Sequence, residues 1–177
     1  METKISILEP FFKRPTTLFH IREIAKATKL SHTAVGKYLH KFEKESLLVM
    51  KQTTPYPTYR ANSNSLAFLN LKRYYNLEQL RTSGLLAALE KEYEYPILVL
   101  FGSYAQALDD EKSDIDICVI SEVAKEFSFE TYEKKLQRKI SIHHFTRKKW
   151  EETKKLNPEL INSICNGIVL SGQLEVL

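Results

Sequence analysis

Two short elements of the sequence carry side chains that could hold a charged ligand. Gly102 and Ser103 directly follow the apolar run ILVLF. A glycine at a strand end lets the backbone turn sharply, and the adjacent serine offers a hydroxyl and a backbone N–H, a combination that suits a phosphate. Asp114 and Asp116 flank an isoleucine at the start of a second apolar run. Two carboxylates this close repel each other unless a cation or a shared proton relieves them, and Mg²⁺ prefers oxygen ligands beside a phosphate.

Two neighbouring strands would bring these side chains together. The apolar runs predict strands over residues 97–101 and 115–120, with a short helix over residues 104–108 between them. Because side chains alternate along a strand, Asp114 and Asp116 should share one face of the second strand. The sequence therefore predicts a phosphate-binding turn beside a pair of metal-binding carboxylates.

This pattern resembles a known family. A Gly-Ser pair, 10 residues between Ser103 and Asp114, and an Asp-x-Asp on a strand are similar to the minimal nucleotidyltransferase domain of the DNA polymerase beta superfamily, over about residues 95–175. The resemblance implies an α+β fold with a mixed sheet flanked by helices. It also implies that Gly102 and Ser103 hold a nucleoside triphosphate, with ATP expected, and that Asp114 and Asp116 hold Mg²⁺.

The resemblance implies a reaction as well. Members of the family transfer a nucleoside monophosphate onto a hydroxyl of an antibiotic, a nucleic acid or a protein, and some are antitoxins that modify a toxin. A protein acceptor or toxin partner is therefore among the expected partners of this chain.

The chain departs from the family pattern on the next predicted strand, residues 139–146. The family usually carries a third carboxylate there, and Ser141 stands at the expected position. His143 lies further along the same face, and a neutral imidazole could accept a proton from an attacking hydroxyl. We predict His143 as a catalytic residue beside Asp114 and Asp116. The alternative is a half-exposed histidine at a strand end with no chemical role.

A second departure affects phosphate binding. The family often has an arginine and a glycine where this chain has Gln106 and Ala107. Loss of the arginine charge would weaken phosphate binding, and Lys112 or Lys139 could replace it. Lys112 is the predicted third nucleotide-binding residue.

The basic excess of the chain belongs to its first third. The 177 residues have a formal net charge of +4. Residues 1–62 carry 11 Lys and Arg against 5 Asp and Glu, or +6, whereas residues 63–177 carry 15 against 17, or −2. This division is typical of a nucleic-acid-binding module joined to a domain of another kind.

Three helices and a hairpin are predicted in this first third. Apolar side chains indicate helices around residues 5–12, 21–25 and 32–45, the last with Ser31 as its N-cap. Two short strands then surround a proline-containing turn. This order resembles the winged helix-turn-helix family, in which the third helix enters the DNA major groove and the wing contacts the flanking backbone.

The resemblance implies a set of contacts to double-stranded DNA. The residues expected to face bases or phosphates are Ser31, His32, Thr33, Lys37 and His40, and those expected to contact the backbone are Lys41, Lys44, Lys51 and Arg60. Two half-sites need two copies of the module, so a DNA-binding version is expected to form a homodimer. The alternative is a small helical domain that contacts only proteins.

The sequence therefore predicts three segments. They are a winged helix-turn-helix DNA-binding domain over residues 1–62, a helical linker over residues 63–94 that packs on the second domain, and a nucleotidyltransferase-like domain over residues 95–177. No apolar run approaches the roughly 20 residues needed to span a bilayer, and no signal-peptide pattern opens the sequence, so we expect a cytoplasmic protein with no membrane association.

Two functions stay open at this point. The first is an active nucleotidyltransferase with a DNA-binding domain. The second is a DNA-binding transcriptional regulator whose degenerate nucleotidyltransferase domain binds a nucleotide without turnover. Ser141 in place of the third carboxylate favours the second, and the Gly-Ser and Asp-x-Asp elements favour nucleotide and metal binding in either. A purely structural scaffold is the remaining alternative.

Overall fold

The computed structural model describes residues 2–123 and 127–174. Contacts between residues divide the chain into two compact units, Met1–Tyr75 and Asn76–Leu177. Each unit has its own apolar core.

The first unit contains the predicted helices and hairpin in the predicted order. Its elements are α1 (Glu2–Lys13), β1 (Phe19–His20), α2 (Ile21–Thr28), α3 (His32–Lys44), β2 (Leu48–Lys51) and β3 (Thr58–Ala61). The strands form an antiparallel sheet in the order β1-β3-β2, and β1 is an element that the sequence did not indicate. The winged-helix assignment of this unit stays a prediction.

Local signals explain where α2 ends and α3 begins. Lys29 follows α2 in the left-handed conformation, with φ 59°. The Ser31 hydroxyl accepts a hydrogen bond from the Ala34 backbone N–H at 3.2 Å, which is the predicted N-cap. The helices pack around a core that includes Phe11, Leu39 and Phe42, all fully buried.

The second unit begins within α4 (Leu66–Ser83), the long helix that follows the hairpin. The elements after it are α5 (Leu85–Glu92), β4 (Ile97–Phe101), α6 (Gly102–Gln106), β5 (Ile115–Ile120), α7 (Glu130–Leu136), β6 (Ile140–Phe145), α8 (Arg147–Leu156), α9 (Pro158–Cys165) and β7 (Ile168–Ser171). Helix α6 begins at Gly102 rather than at residue 104, so Ser103 lies in its first turn. Helices α4 and α5 occupy most of the segment predicted as a linker.

The sheet of the second unit is mixed. Its order is β6-β5-β4-β7, with β4 antiparallel to both β5 and β7, and with β5 parallel to β6. This arrangement of helices and sheet confirms the predicted α+β class.

Both faces of β4 and β5 are covered, which explains their continuous apolar sequences. Leu98 and Leu100 belong to one apolar cluster, with Leu85 of α5, and Val99 and Phe101 belong to a second cluster, with Trp150 of α8. Within residues 2–123 and 127–174, no helix is both long and apolar enough to span a membrane.

Candidate active site

Three adjacent strands bring the predicted site residues to one edge of the sheet. Asp116 of β5 lies opposite Phe101, the last residue of β4, in the antiparallel register. On its other side Asp116 lies opposite Ser141 of β6 in the parallel register. The end of β4 and the starts of β5 and β6 therefore meet at Asp116, with Gly102 and Ser103 directly after β4.

Gly102 lies so close to the Asp116 carboxylate that a side chain at this position would displace it. Its backbone has φ +73°, a left-handed conformation that disfavours residues with a Cβ. A Cβ added to Gly102 would lie 2.5 Å from Asp116 Oδ2. The Gly-Ser turn and the Asp-x-Asp strand, which are separate in sequence, therefore form one contact surface.

The surroundings of Asp116 make its negative charge unfavourable. The side chain is 29% exposed. Burial is the largest influence on its pKa and raises it, His143 lowers it, and the charge of Asp114 raises it. Asp114 itself is exposed, just before the first residue of β5. A carboxylate with a raised pKa beside a second carboxylate gains from a bound cation, which relieves both charges.

His143 lies beside Asp116, as the strand alternation predicted. Its Nε2 is 3.9 Å from Asp116 Oδ1 and 3.4 Å from Ser141 Oγ, and its ring contacts the Phe101 ring edge to face at 5.1 Å between centroids. The His143 ring therefore contacts both the Phe101 ring and the Asp116 carboxylate. Its Nε2 is the atom close to both Ser141 Oγ and Asp116 Oδ1.

Among the described side chains, no further carboxylate joins Asp114 and Asp116 in a metal-binding group. Among residues 2–123 and 127–174, no group of three or more His, Cys, Asp or Glu side chains is arranged to hold a metal ion. Ser141 faces Asp116 where the family usually has an acid. Mg²⁺ in phosphate-transferring sites is commonly bound through one or two carboxylates plus substrate phosphates. Asp114 and Asp116 therefore fit one such ion, and the described side chains do not supply a second complete set.

Two lysines lie beside Asp114. A polar groove of about 570 Å³ is lined by residues that include Lys112, Asp114 and Lys139. The Lys112 backbone N–H donates to Asp110 Oδ1 at 2.9 Å, so this part of the loop is ordered, while its side chain is exposed. The role of Lys112 in nucleotide binding stays a prediction.

The residues predicted to contact DNA all lie on the surface of the first unit. Ser31 uses its hydroxyl as the α3 N-cap. His40 and Lys41 lie near acidic neighbours, with N to O distances of 3.9 Å to Glu43 and 3.8 Å to Glu45. Within the described part of the chain, four of the predicted contact residues form no ion pair: Lys37, Lys44, Lys51 and Arg60.

The sequence did not indicate a buried ion pair near the site. Arg138 Nη2 donates to Asp109 Oδ2 at 2.8 Å, and the side chains are 8% and 0% exposed. Asp109 lies in the loop that leads to Asp114, and Arg138 lies just before β6. The Asp109-Asp110 dipeptide does not by itself indicate that one of its two carboxylates is buried.

The comparisons with known proteins identify the second unit. A solved structure that matches the chain is the crystal structure of Pseudomonas aeruginosa HmgR, with 17% identity, a TM-score of 0.36, and coverage of 58% of this chain and 41% of that one. A likeness this weak carries no argument about function. No curated protein sequence matches the chain. The sequence model of the nucleotidyltransferase domain matches residues 84–171, which include α5 and the whole four-stranded sheet. Through these residues the chain belongs to the nucleotidyltransferase domain family.

Proposed function

We propose that the second unit binds a nucleoside triphosphate with Mg²⁺ and transfers its nucleoside monophosphate to an acceptor hydroxyl. The observation that carries this proposal is the contact of Gly102 with the Asp116 carboxylate. It joins the residues that would hold the triphosphate, Gly102, Ser103 and Lys112, to those that would hold the metal, Asp114 and Asp116. Mg²⁺ bound by these carboxylates and by phosphate oxygens would offset the charge of the triphosphate.

His143 supplies the proton acceptor in this proposal. The acceptor oxygen forms a bond to the α-phosphorus, the bond from that phosphorus to the oxygen bridging the β-phosphate breaks, and pyrophosphate leaves with the electron pair. The hydroxyl proton passes to Nε2 of neutral His143. Asp116 Oδ1 lies 3.9 Å from this nitrogen, so its negative charge would stabilise the imidazolium that forms.

The second candidate is nucleotide binding without turnover. The observation that favours it is Ser141, which pairs with Asp116 in the β5–β6 register at the position of the third carboxylate and offers only a hydroxyl there. A hydroxyl is a poor substitute for a carboxylate as a ligand of a hard cation. In this case the bound nucleotide acts as a signal to a regulator.

The test of both candidates measures binding and transfer separately on the full chain. ATP affinity is measured with and without Mg²⁺, and label transfer from α-labelled ATP is followed across nucleic acid, antibiotic and protein acceptors, including toxin partners. We expect Asp114→Asn and Asp116→Asn to weaken Mg²⁺-dependent ATP binding by about tenfold or more. Glu152→Gln, which removes an exposed carboxylate on α8, is the control.

Each result favours one reading. Transfer that disappears in the two aspartate variants supports the enzyme. Binding without transfer to any acceptor supports the regulator. Transfer that survives Asp114→Ala/Asp116→Ala contradicts the assigned site.

We further propose that the first unit binds double-stranded DNA, as a homodimer that reads two half-sites. The support is the charge of +6 over residues 1–62 and four exposed basic side chains that form no ion pair with any described residue, which are Lys37, Lys44, Lys51 and Arg60. The residues that would face bases or phosphates are Ser31, His32, Thr33, Lys37 and His40, and those that would contact the backbone are Lys41, Lys44, Lys51 and Arg60.

Two matched charge reversals test this DNA proposal. Lys37→Glu/Lys44→Glu changes the exposed face of α3, and Lys148→Glu/Lys155→Glu makes the same change at the same spacing on α8. Affinity is measured against salt concentration, and each lost phosphate contact should reduce the salt slope by about 1. The α3 pair should flatten the slope and the α8 pair should not. Equal effects of the two pairs would contradict a specific DNA-binding face.

A further inference from the structure

The loop between α6 and β5 separates the two halves of the candidate nucleotide site. It runs from Ala107 to Asp114 and is ordered by its own hydrogen bonds. Asp110 Oδ1 accepts from the Lys112 backbone N–H at 2.9 Å and from the Ser113 hydroxyl at 3.1 Å. The position of Asp114 therefore depends on how this loop is attached to the rest of the unit.

Arg138 attaches the loop to the start of β6. Its Nη1 donates to the backbone carbonyl of Ser113 at 3.0 Å and to that of Asp110. Its Nη2 donates to Asp109 Oδ2 at 2.8 Å. One guanidinium group thus holds three points of the loop, and the last of them directly precedes Asp114.

Asp109 continues the network to the other half of the site. Its Oδ1 accepts from Asn76 Nδ2 at 2.9 Å, and the same amide nitrogen donates to the Tyr104 carbonyl at 2.9 Å. The Tyr104 hydroxyl donates to the Asn76 carbonyl at 3.3 Å, and the Arg138 guanidinium lies over the Tyr104 ring at 5.2 Å. Tyr104 directly follows Ser103, so the network links both predicted ligand-binding elements.

The energetics of this network favour a role in geometry. Replacing a buried ion pair by apolar side chains of similar volume is often neutral or stabilising. Stability alone therefore does not explain why this pair is charged. Arginine presents several donors in a fixed planar fork, which a lysine cannot reproduce. Among the described residues, no buried side-chain N or O atom lacks a hydrogen-bond partner, so the network is complete.

We propose that Arg138 and Asp109 are positioning residues of the nucleotide site. They fix Asp114 relative to Ser103 through the loop, and their side chains are 8% and 0% exposed. This inference rests on the proposed nucleotide binding by the second unit. It predicts that a substitution of Arg138 alters the loop and weakens nucleotide binding together. A substitution elsewhere that lowers stability should do neither.

Arg138→Lys in the full chain is the central experiment. This variant keeps the charge beside Asp109 but cannot donate to Asp109 and to two carbonyls in the same planar arrangement. We expect the amide hydrogens of Lys112 and Ser113 to exchange at least about tenfold faster, and the Mg²⁺-dependent affinity for ATP to fall about tenfold. Trp150→Phe, which removes apolar volume from the second apolar cluster, is the control. It should lower the melting temperature without changing the amide exchange of the loop or the ATP affinity.

The outcomes separate this inference from the proposed function. Wild-type ATP affinity or unchanged loop exchange in Arg138→Lys overturns it, and so does an equal loss of affinity in Trp150→Phe. If the wild-type chain binds no ATP, the proposed function fails, and loop exchange alone then decides whether Arg138 holds the loop. If Arg138→Lys does not fold, Asp109→Asn/Arg138→Gln leaves no buried charge and should show the same faster exchange and weaker binding.

Discussion

The two sides of the candidate site differ in what they retain of the family pattern. On the side of β4, α6 and β5, Gly102 packs against Asp116, and Asp114 stands beside it. On the side of β6, Ser141 and His143 face the same carboxylate where the family usually has an acid. The elements that would bind a nucleotide and the element that would promote transfer thus lie on different strands. A substitution on the side of β4, α6 and β5 can therefore alter nucleotide binding without altering the transfer step. A substitution on β6 can alter the transfer step without altering nucleotide binding.

The largest expected effect is on the β6 side. His143→Gln removes the proposed proton acceptor, so the rate of transfer should fall by about 100-fold or more, the usual contribution of general base catalysis. ATP affinity should stay close to the wild-type value, because the residues that would bind the nucleotide lie on the other side.

His144→Gln is the matched control for this rate. His144 is the next residue, and its Nε2 lies 3.0 Å from the Ser121 carbonyl instead of near Asp116. Equal transfer rates in the two histidine variants would contradict a chemical role for His143. The measurement is single-turnover label transfer at saturating ATP.

The next effect is on the opposite side, at Gly102. Gly102→Ala adds a Cβ that would lie 2.5 Å from Asp116 Oδ2, so the carboxylate must move. We expect ATP affinity to fall by about 100-fold. The left-handed backbone should also cost about 1–2 kcal/mol of unfolding free energy.

Gly84→Ala separates the two contributions to that loss. Gly84 also has a positive φ, +82°, but a Cβ there meets no atom within 4 Å. It should lose similar stability and keep its ATP affinity, as measured by calorimetric titration and thermal unfolding. An equal affinity loss in both alanine variants would show that the contact with Asp116 is irrelevant to binding.

The two sides also differ in how far the sequence predicted them. Alternation along β5 and β6 correctly placed Asp116, Ser141 and His143 on one face, because the period of a strand is regular. The contact of Gly102 with Asp116 depends on the register of β4 against β5, which no local pattern specifies. The Asp109–Arg138 pair joins residues 29 apart in a loop and a turn, where neither periodicity nor propensity signals burial.

A third change would make the β6 side resemble the family. Ser141→Asp places a carboxylate opposite Asp116, so without metal the added repulsion should lower the melting temperature by about 2–4 °C. Mg²⁺ should reverse this loss, since a ligand that binds only the folded state stabilises it. Thermal unfolding with and without Mg²⁺ checks this, with Ser141→Asn as the uncharged control. If the melting temperature of Ser141→Asp is the same with and without Mg²⁺, the assigned metal position is contradicted.

The smallest expected effect is on the pH dependence of stability, and it differs between two aspartates, Asp116 and Asp110. Burial raises the pKa of Asp116, so its ionised form is less favourable in the folded state than in the unfolded chain. Its contribution to stability is therefore greatest below the unfolded pKa of about 3.9 and declines as the pH rises through the folded value. Asp116→Asn should then be more stable than wild type at pH 7, by about 1–2 °C in melting temperature, with the gain vanishing near pH 3.

Asp110 should give the opposite sign. The Lys112 backbone N–H, followed by hydrogen bonds from Ser113, lowers the pKa of Asp110, so its ionised form favours folding. That contribution is present above the unfolded pKa and is lost as the pH falls through the folded value, so Asp110→Asn should be less stable than wild type at pH 7 and equal to it in acid. Thermal unfolding from pH 3 to pH 8 measures both. If the two variants shift in the same direction at pH 7, then Asp116 is not held at a cost to stability, and a bound cation is no longer needed to explain its position.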